Sequence, residues 1–303
     1  MKKRIIFTFI LFLVILSISQ PKETLAAECS KTTFSIILKE KTDLKEKKDP
    51  ASVTVKTLAK GKKLAVVKRK HSWYQVCYNN RPVYVKAYSA KEVFTKDEKR
   101  IMNKALKEKG AKQILTVIGE KNTSTSAAIR AYENKYGEWR RVLIKMSGVV
   151  GKKGFTNQKS EGDGKTPIGM YAFGTAFGKT KKLDSITWPY KKTTKNDFWV
   201  DDPASKDYNK WVRYTGNPDK KWKSYEVMNH PLYRYGAVIS YNMDPVIKGK
   251  GSAIFLHVWR GRGTSTAGCA ATTEKNVVRI LSWLDPAKNP QIVLSSKTSL
   301  KNL

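Results

Sequence analysis

The chain has 303 residues, of which 40% are hydrophobic, and carries a formal net charge of +34. That apolar content excludes a disordered polymer, and the length is enough for two ordinary domains with buried cores. A charge this large favours a polyanionic partner, yet no recognisable nucleic-acid motif accompanies it, so nucleic acid is not the expected partner.

Met1-Lys2-Lys3-Arg4 is a short basic start, followed by an almost unbroken apolar run from Ile5 to Ile18 and by the small residues of Leu25-Ala26-Ala27. The run is too short to cross a bilayer comfortably. Residues 1–27 therefore read as a secretory signal peptide cut after Ala26 or Ala27; a retained anchor is the alternative. The expectation is a secreted, extracellular protein with no permanent membrane anchor. Cys29 follows Glu28, where a lipoprotein site wants a small residue. Outside the cell the polyanion becomes an anionic wall polymer, against the plain alternative of a basic surface that serves solubility.

Residues 28–92 read as short strands around Val53–Val55, Leu64–Val67, Trp73–Tyr78 and Arg81–Val85. Asn79-Asn80 suits a tight hairpin turn, since Asn tolerates positive φ. The density of aromatic and β-branched residues indicates a small β-barrel. Residues 93–112 read as a linker helix: Thr95 and Glu98 form a capping-box pattern and Gly110 fits the stop. From Gln113 to the end, residues 113–303, strand signals return at Ile114–Ile118, Trp139–Met146, Ala237–Tyr241 and Ala253–Trp259. The Lys- and Tyr-rich stretch around 179–225 reads as surface loops and edge strands. The expected fold class is mainly β with few helices.

Alternation within Ala253–Trp259 puts Phe255, His257 and Trp259 on one face. Twelve positions after His257 comes Cys269, in Thr266-Ala267-Gly268-Cys269. A helix is expected just after it, capped by Thr272 or Thr273, whose N-terminus would favour a thiolate. Gly268 would leave its own N–H free for an oxyanion. A thiolate beside an imidazole is the minimum equipment for acyl transfer. By spacing alone, however, Cys269 is equally well a small buried hydrophobe.

Two resemblances sharpen this reading. Thr57 to Val85, with its turn-Gly-strand, Trp-Tyr-x-Val and Tyr-Val order, resembles a bacterial SH3-like domain, which implies binding of cell-wall material; a spacer without ligand is the alternative. His257, a Gly-rich loop and Thr266-Ala267-Gly268-Cys269 resemble the L,D-transpeptidase (YkuD-like) catalytic domain. Asp163-Gly164-Lys165-Thr166-Pro167-Ile168-Gly169 and Tyr241–Pro245 running to Gly249–Ser252 fit the same family, over about 113–296. The resemblance implies a β-rich catalytic domain, Cys269 as nucleophile and His257 as base. It also implies peptidoglycan stem peptides as substrate, transfer to a second stem, and no metal or other cofactor. Gly268 and Thr266 then serve the oxyanion and the turn. Ala267 stands where many members carry His, and Ala271 where many carry Arg or Asn. Arg260, Arg262 and His230 are candidates to compensate in substrate binding, although His230 also reads as an ordinary loop histidine. A hydrolase using the same pair, an L,D-carboxypeptidase, and a wall-binding protein with an inert pair are the competing readings.

Gly164-Lys165-Thr166 mimics the end of a phosphate loop, but the expected first glycine falls at Lys159 and Pro167 would damage the helix that must follow. His230, His257 and Cys269 lack the close paired spacing of a closed zinc site. Cys29 and Cys77 share the first domain, and the compartment permits a bridge between them that leaves Cys269 free; three free thiols is the alternative.

Overall fold

The computed structural model describes Cys29, residues 32–70 and residues 72–303. The basic start, apolar run and cleavage region of 1–27 lie outside the described residues. Among the described residues no helix is long and apolar enough to cross a membrane. The chain forms two compact units, divided between Val93 and Phe94.

The first unit is antiparallel throughout: β1 (Phe34–Leu38), β2 (Thr42–Lys45), β3 (Thr54–Leu58), β4 (Lys63–Lys70), β5 (Trp73–Tyr78), β6 (Arg81–Lys86) and β7 (Ala90–Val93), in the order β3-β2-β6-β5-β4-β1-β7. Asn79 and Asn80 both take positive φ and pair Tyr78 with Arg81, the two-residue hairpin their side chains suit. Period-two alternation sends Val83 and Val85 inward with Ile36, Leu44, Val66 and Val76. Tyr74 reaches this core too and donates its hydroxyl to Glu92 at 3.0 Å, which satisfies the buried phenol. Cys29 and Cys77 are joined by a disulfide, and Cys269 is a free, buried thiol.

The second unit opens with α1 (Lys96–Lys109). Thr95 and Glu98 make the reciprocal capping box, and Gly110 ends the helix in the left-handed conformation. This helix is more than a connector. Its apolar stripe of Ile101, Met102 and Ala105 packs with Ile114, Tyr132, Val293 and Leu300, and Glu98 binds both Tyr132 and Arg141.

The remaining strands are β8 (Gln113–Gly119), β9 (Ser126–Lys135), β10 (Glu138–Val149), β11 (Phe155–Thr156), β12 (Thr166–Pro167), β13 (Gly169–Gly178), β14 (Tyr190–Lys192), β15 (Asp197–Val200), β16 (Lys210–Arg213), β17 (Tyr225–Val227), β18 (Gly236–Ile239), β19 (Phe255–Val258), β20 (Ala270–Thr272) and, after α2 (Glu274–Trp283), β21 (Gln291–Ser296). Eight of them close a ring, β13-β18-β19-β20-β10-β9-β8-β21 and back to β13. Closure rests on the length of β13: Gly169–Ala172 pair with β21, and Phe173–Phe177 with β18. The barrel is covered on both faces, which explains the continuous apolar runs. In β8, Leu115 and Val117 enter the main core with Ile129, Leu256, Ile292 and the α2 residues Val277, Ile280 and Leu281, while Ile114 faces α1.

The stretch around 179–225, expected as surface loops and edge strands, does contain strands, and its surface placement is corrected in part. It holds the three-stranded sheet β16-β15-β17, with Phe198, Val200 and Trp222 buried in a core of its own. Its aromatic residues alternate between that small core and the barrel; Trp199 points to the barrel.

The disulfide closes a separation of 48 residues, and on the chain-entropy account a loop of that size stabilises by about 3 to 4 kcal/mol. Non-reducing peptide mapping is expected to find one alkylatable cysteine, Cys269. Cys77→Ser is expected to lower the melting temperature of the first unit without changing Cys269 alkylation; three alkylatable thiols would contradict the pairing.

Candidate active site

Strands β19 and β20 run parallel, with Leu256 opposite Ala270 and His257 opposite Ala271. Cys269 directly precedes β20 and is thereby level with Phe255. Phe255, His257 and Cys269 share one face of these strands, opposite to the face that carries Leu256 into the barrel core. The structure thus brings the two principal candidates together as diagonal neighbours. Both are buried, at 9% exposure for Cys269 and 5% for His257.

The His257 ring is oriented by its Nδ1, which lies 2.8 Å from the Val258 carbonyl oxygen. A carbonyl only accepts, so Nδ1 carries the proton and Nε2 holds the free lone pair. Burial, reinforced by the charges of His230 and Arg260, pushes the imidazole down to about 4, against the opposing hydrogen bond to Val258. The Cys269 thiol donates to the Ala253 carbonyl at 3.2 Å and accepts from the Phe255 N–H at 3.4 Å. Burial pushes it up to about 12, although Phe255 N–H and the Lys159 ammonium pull the other way. At neutral pH the resting pair is therefore a neutral thiol and a neutral imidazole.

The helix expected after Cys269 forms with Thr273 as its cap, and Ala270–Thr272 are held as a strand between β19 and β10 on the way to it. The expected thiolate is corrected: burial pushes the thiol up. Nor is the Gly268 N–H free, because it donates to the Thr266 hydroxyl at 3.1 Å. That hydroxyl in turn donates to the Cys269 carbonyl at 2.7 Å, so Thr266 and Gly268 build the turn. Gly268 has φ +157°, and a Cβ there would meet the Lys165 carbonyl oxygen at 3.0 Å, which accounts for glycine at this close approach.

The Asp163–Gly169 segment acts from below. Thr166 is fully buried, donates to the Gly268 carbonyl at 2.7 Å and accepts from the Gly151 N–H at 2.9 Å. Lys159, also buried, pairs with Asp163 at 2.7 Å, and its side chain passes close to Gly251 and Gly268. Ala253, the thiol's acceptor, has φ +52°, and its N–H is held by the Asn209 amide oxygen at 3.2 Å. The same oxygen accepts from Trp199, whose ring meets Phe255 edge-on at 5.0 Å.

Of the weaker candidates, Arg260 is exposed but lies within electrostatic reach of both His257 and His230. Arg262 is exposed in the same loop, and nothing among the described residues ties it to the pair. His230 is half-buried beside Tyr233, and its Nδ1 accepts from the Leu232 N–H at 3.2 Å. Sequence reasoning missed Thr166 as a support, although its motif was visible, and missed Tyr233, Glu226, Asn209 and Trp199, which no spacing marks.

Thr166→Val would keep the shape and strand two buried backbone partners, so a loss of about 2 kcal/mol or more is expected in urea denaturation. Thr166→Ser is expected to recover most of it; equal losses in the two variants would show that the hydroxyl is not what matters.

The family model of the L,D-transpeptidase catalytic domain (YkuD) matches residues 122–293, which include Thr166, His257 and Cys269. No curated protein matches the chain. Among solved structures, the helical cell shape determining protein Pgp2 from Campylobacter jejuni is similar with a TM-score of 0.33 and 17% identity. The alignment covers 61% of this chain and 48% of that one, so this chain spans about half of its length. The family match alone takes in more than half of the 303 residues, and the chain belongs to the L,D-transpeptidase catalytic-domain (YkuD) family.

Proposed function

We propose that this protein is a secreted cell-wall enzyme that cross-links peptidoglycan stem peptides by acyl transfer through Cys269. The observation that carries the reading is the free thiol of Cys269 beside a histidine whose Nδ1 is committed to Val258, leaving Nε2 as a base.

In the proposed reaction the thiol leaves the Ala253 carbonyl and gives its proton to His257 Nε2 as sulfur attacks the carbonyl carbon of the L-centre in a donor stem. Proton removal accompanies attack, because burial disfavours a standing thiolate–imidazolium pair. The tetrahedral intermediate collapses, the C–N bond breaks, and the departing D-residue amine takes the proton from His257. An acceptor amine then attacks the thioester, His257 takes a proton from it, and the thiol is regenerated. Backbone N–H groups other than that of Gly268 hold the oxyanion. No metal or other cofactor enters this scheme.

Residues 1–27 supply the export signal in this reading, and the first unit is an SH3-like domain that holds the enzyme to the wall. The net charge of +34 supports anionic wall polymers as a further partner.

Mass spectrometry of purified stem peptides, with and without an acceptor amine, tests the reaction. The cross-linked product is expected only with acceptor; loss of the D-residue alone in both reactions would indicate hydrolysis. Cys269→Ala is expected to abolish turnover with the fold intact, and His257→Gln to lower kcat by about 10²-fold or more. Product formation by Cys269→Ala at the wild-type rate would sink the proposal.

The acid limb of the pH–rate profile offers a separate check. The base must be neutral, and His257 is pushed down to about 4. Activity is therefore expected to persist below pH 6 and to fall only as pH drops through about 4. A limb at about 6.5, the value of a solvent-exposed histidine, would show that the base is hydrated in the working enzyme.

A further inference from the structure

We infer that Tyr233 is a positioning residue for His257, itself held in place by His230 and Glu226. The inference rests on the Cys269–His257 reading. Among the described residues the His257 ring has one polar tether, to the carbonyl of the very next residue. Such a local bond selects the tautomer but leaves the ring free to swing with its own backbone, so a second wall is needed to aim Nε2.

Tyr233 supplies that wall. It is 6% exposed, and its ring stands edge-on to His257 at 5.4 Å and 79°. The same ring meets Phe255 at 5.7 Å and Phe177 at 5.6 Å, so it is packed on several sides and moves little. Two tethers outside the pair hold it. Its hydroxyl donates to Glu226 Oε2 at 3.1 Å, and Glu226 lies in β17, paired opposite Trp199 of β15. On the other side, Tyr233 closes a short 3-10 turn, Pro231–Tyr233, whose cap is His230. The His230 Nδ1 accepts from the Leu232 N–H, and the His230 carbonyl accepts from the Tyr233 N–H at 2.9 Å. His230 thus has a definite task, fixing the turn that presents Tyr233 to His257.

The order of support is His230 and Glu226 to Tyr233, and Tyr233 to His257. It also joins the three-stranded insert to the base through a single phenol. None of the three supporting residues needs to touch substrate for this role.

The test reads the alkylation rate of Cys269 by iodoacetamide in the full-length protein as a function of pH, so it needs no knowledge of the stem peptide. The titratable and charged groups around His257 are His230 and Arg260, with Glu226, Cys269 and Lys159 across the site and Asp201 within reach of Tyr233. His257→Gln is expected to slow alkylation at pH 7 by about 10²-fold. Tyr233→Leu is expected to slow it by about tenfold and to move the acid limb up by about one pH unit or more, because the ring that keeps water from His257 is gone. Tyr233→Phe keeps the ring and loses only the Glu226 tether, so its effect is expected to be smaller and in the same direction. His230→Ala is expected to resemble Tyr233→Leu. His230→Asn is expected to recover most of the rate, since an Asn oxygen accepts the Leu232 N–H as a cap.

If Tyr233→Leu does not fold, the His230→Ala and His230→Asn pair carries the test. A slowed His257→Gln beside unchanged rates and limbs in the folded Tyr233 and His230 variants would overturn this inference alone. A loss in His230→Ala that His230→Asn does not recover would overturn the capping role. An unchanged rate in His257→Gln would overturn the Cys269–His257 reading, and this inference with it.

Discussion

The parallel pairing of β19 with β20 is the constraint on which the site depends. It is four residues against three, yet it sets His257 and Cys269 on one face. Parallel neighbours cannot be joined by a tight hairpin; the chain must leave one strand's end and return to the other's beginning. Here Trp259–Gly268 makes that return, and Thr266 pins it. Thr266 bonds Val150 and Lys152 through its backbone and shapes the Cys269 turn through its hydroxyl. A slip of one residue in this register would send Cys269 to the face opposite His257. Closure of the barrel makes such a slip costly, because β20 is also held by β10 and β19 by β18.

Burial then decides the chemistry this geometry allows. A thiol and an imidazole in an exposed, polar setting would approach an ion pair; here the apolar walls push the thiol up and the imidazole down. The protein as a whole is strongly basic, yet Lys159, whose charge acts on the thiol, is paired with Asp163. The resting thiol is stabilised by a hydrogen bond to Ala253, which deprotonation must break. In the proposed reaction, general-base assistance by a dry, neutral histidine fits these conditions better than a preformed thiolate does.

The fold class was legible in the sequence because the strands are long or strongly patterned. The Asn79-Asn80 turn, the Thr95–Glu98 capping box and the Ile114–Ile118 run each have a local cause, and each forms where that cause lies. His257 and Cys269 came forward as candidates for a different reason: spacing alone left Cys269 equally a small buried hydrophobe, and the resemblance of Thr266–Cys269 to the family motif singled the pair out. What was not legible depends on which hydrogen-bond partner each group takes, near or far in the chain. Gly268 donates to Thr266, two residues off, a commitment that backbone permissiveness alone does not reveal. Ala270–Thr272 look like the approach to a helix, and become a strand only because β10 and β19 claim their backbone groups. The stretch from Asp197 to Val227 has lysines at high density, which masks the alternation of Phe198 and Val200 against Trp199. His230 looked like a loop histidine or a ligand for substrate; its Nδ1 bond to Leu232 gives it a structural task.

The division between what the motifs cover and what they leave out has a physical meaning. The segments that resemble the family, around Asp163–Gly169, Tyr241–Ser252 running into the His257 strand, and Thr266–Cys269, build the floor: Thr166 under Gly268, Ala253 against the thiol, Thr266 across the turn. The wall around the pair, Tyr233 against His257 and Trp199 against Phe255, comes largely from residues without any such signature. Trp199, Asn209 and Glu226 belong to the insert, and Tyr233 to the turn that follows it. Asn209 couples the two parts, since its side chain bonds Trp199 on one side and Ala253, Tyr241 and Asn242 on the other. A floor of backbone hydrogen bonds tolerates little change, because each buried group it leaves unpaired costs about 1 to 3 kcal/mol. A wall of packed aromatic rings is more forgiving, as apolar residues of similar volume substitute for one another at lower cost. The floor therefore holds the Cys269 sulfur in a fixed place, and the wall is where the environment of His257 is free to be adjusted without dismantling the turn beneath it.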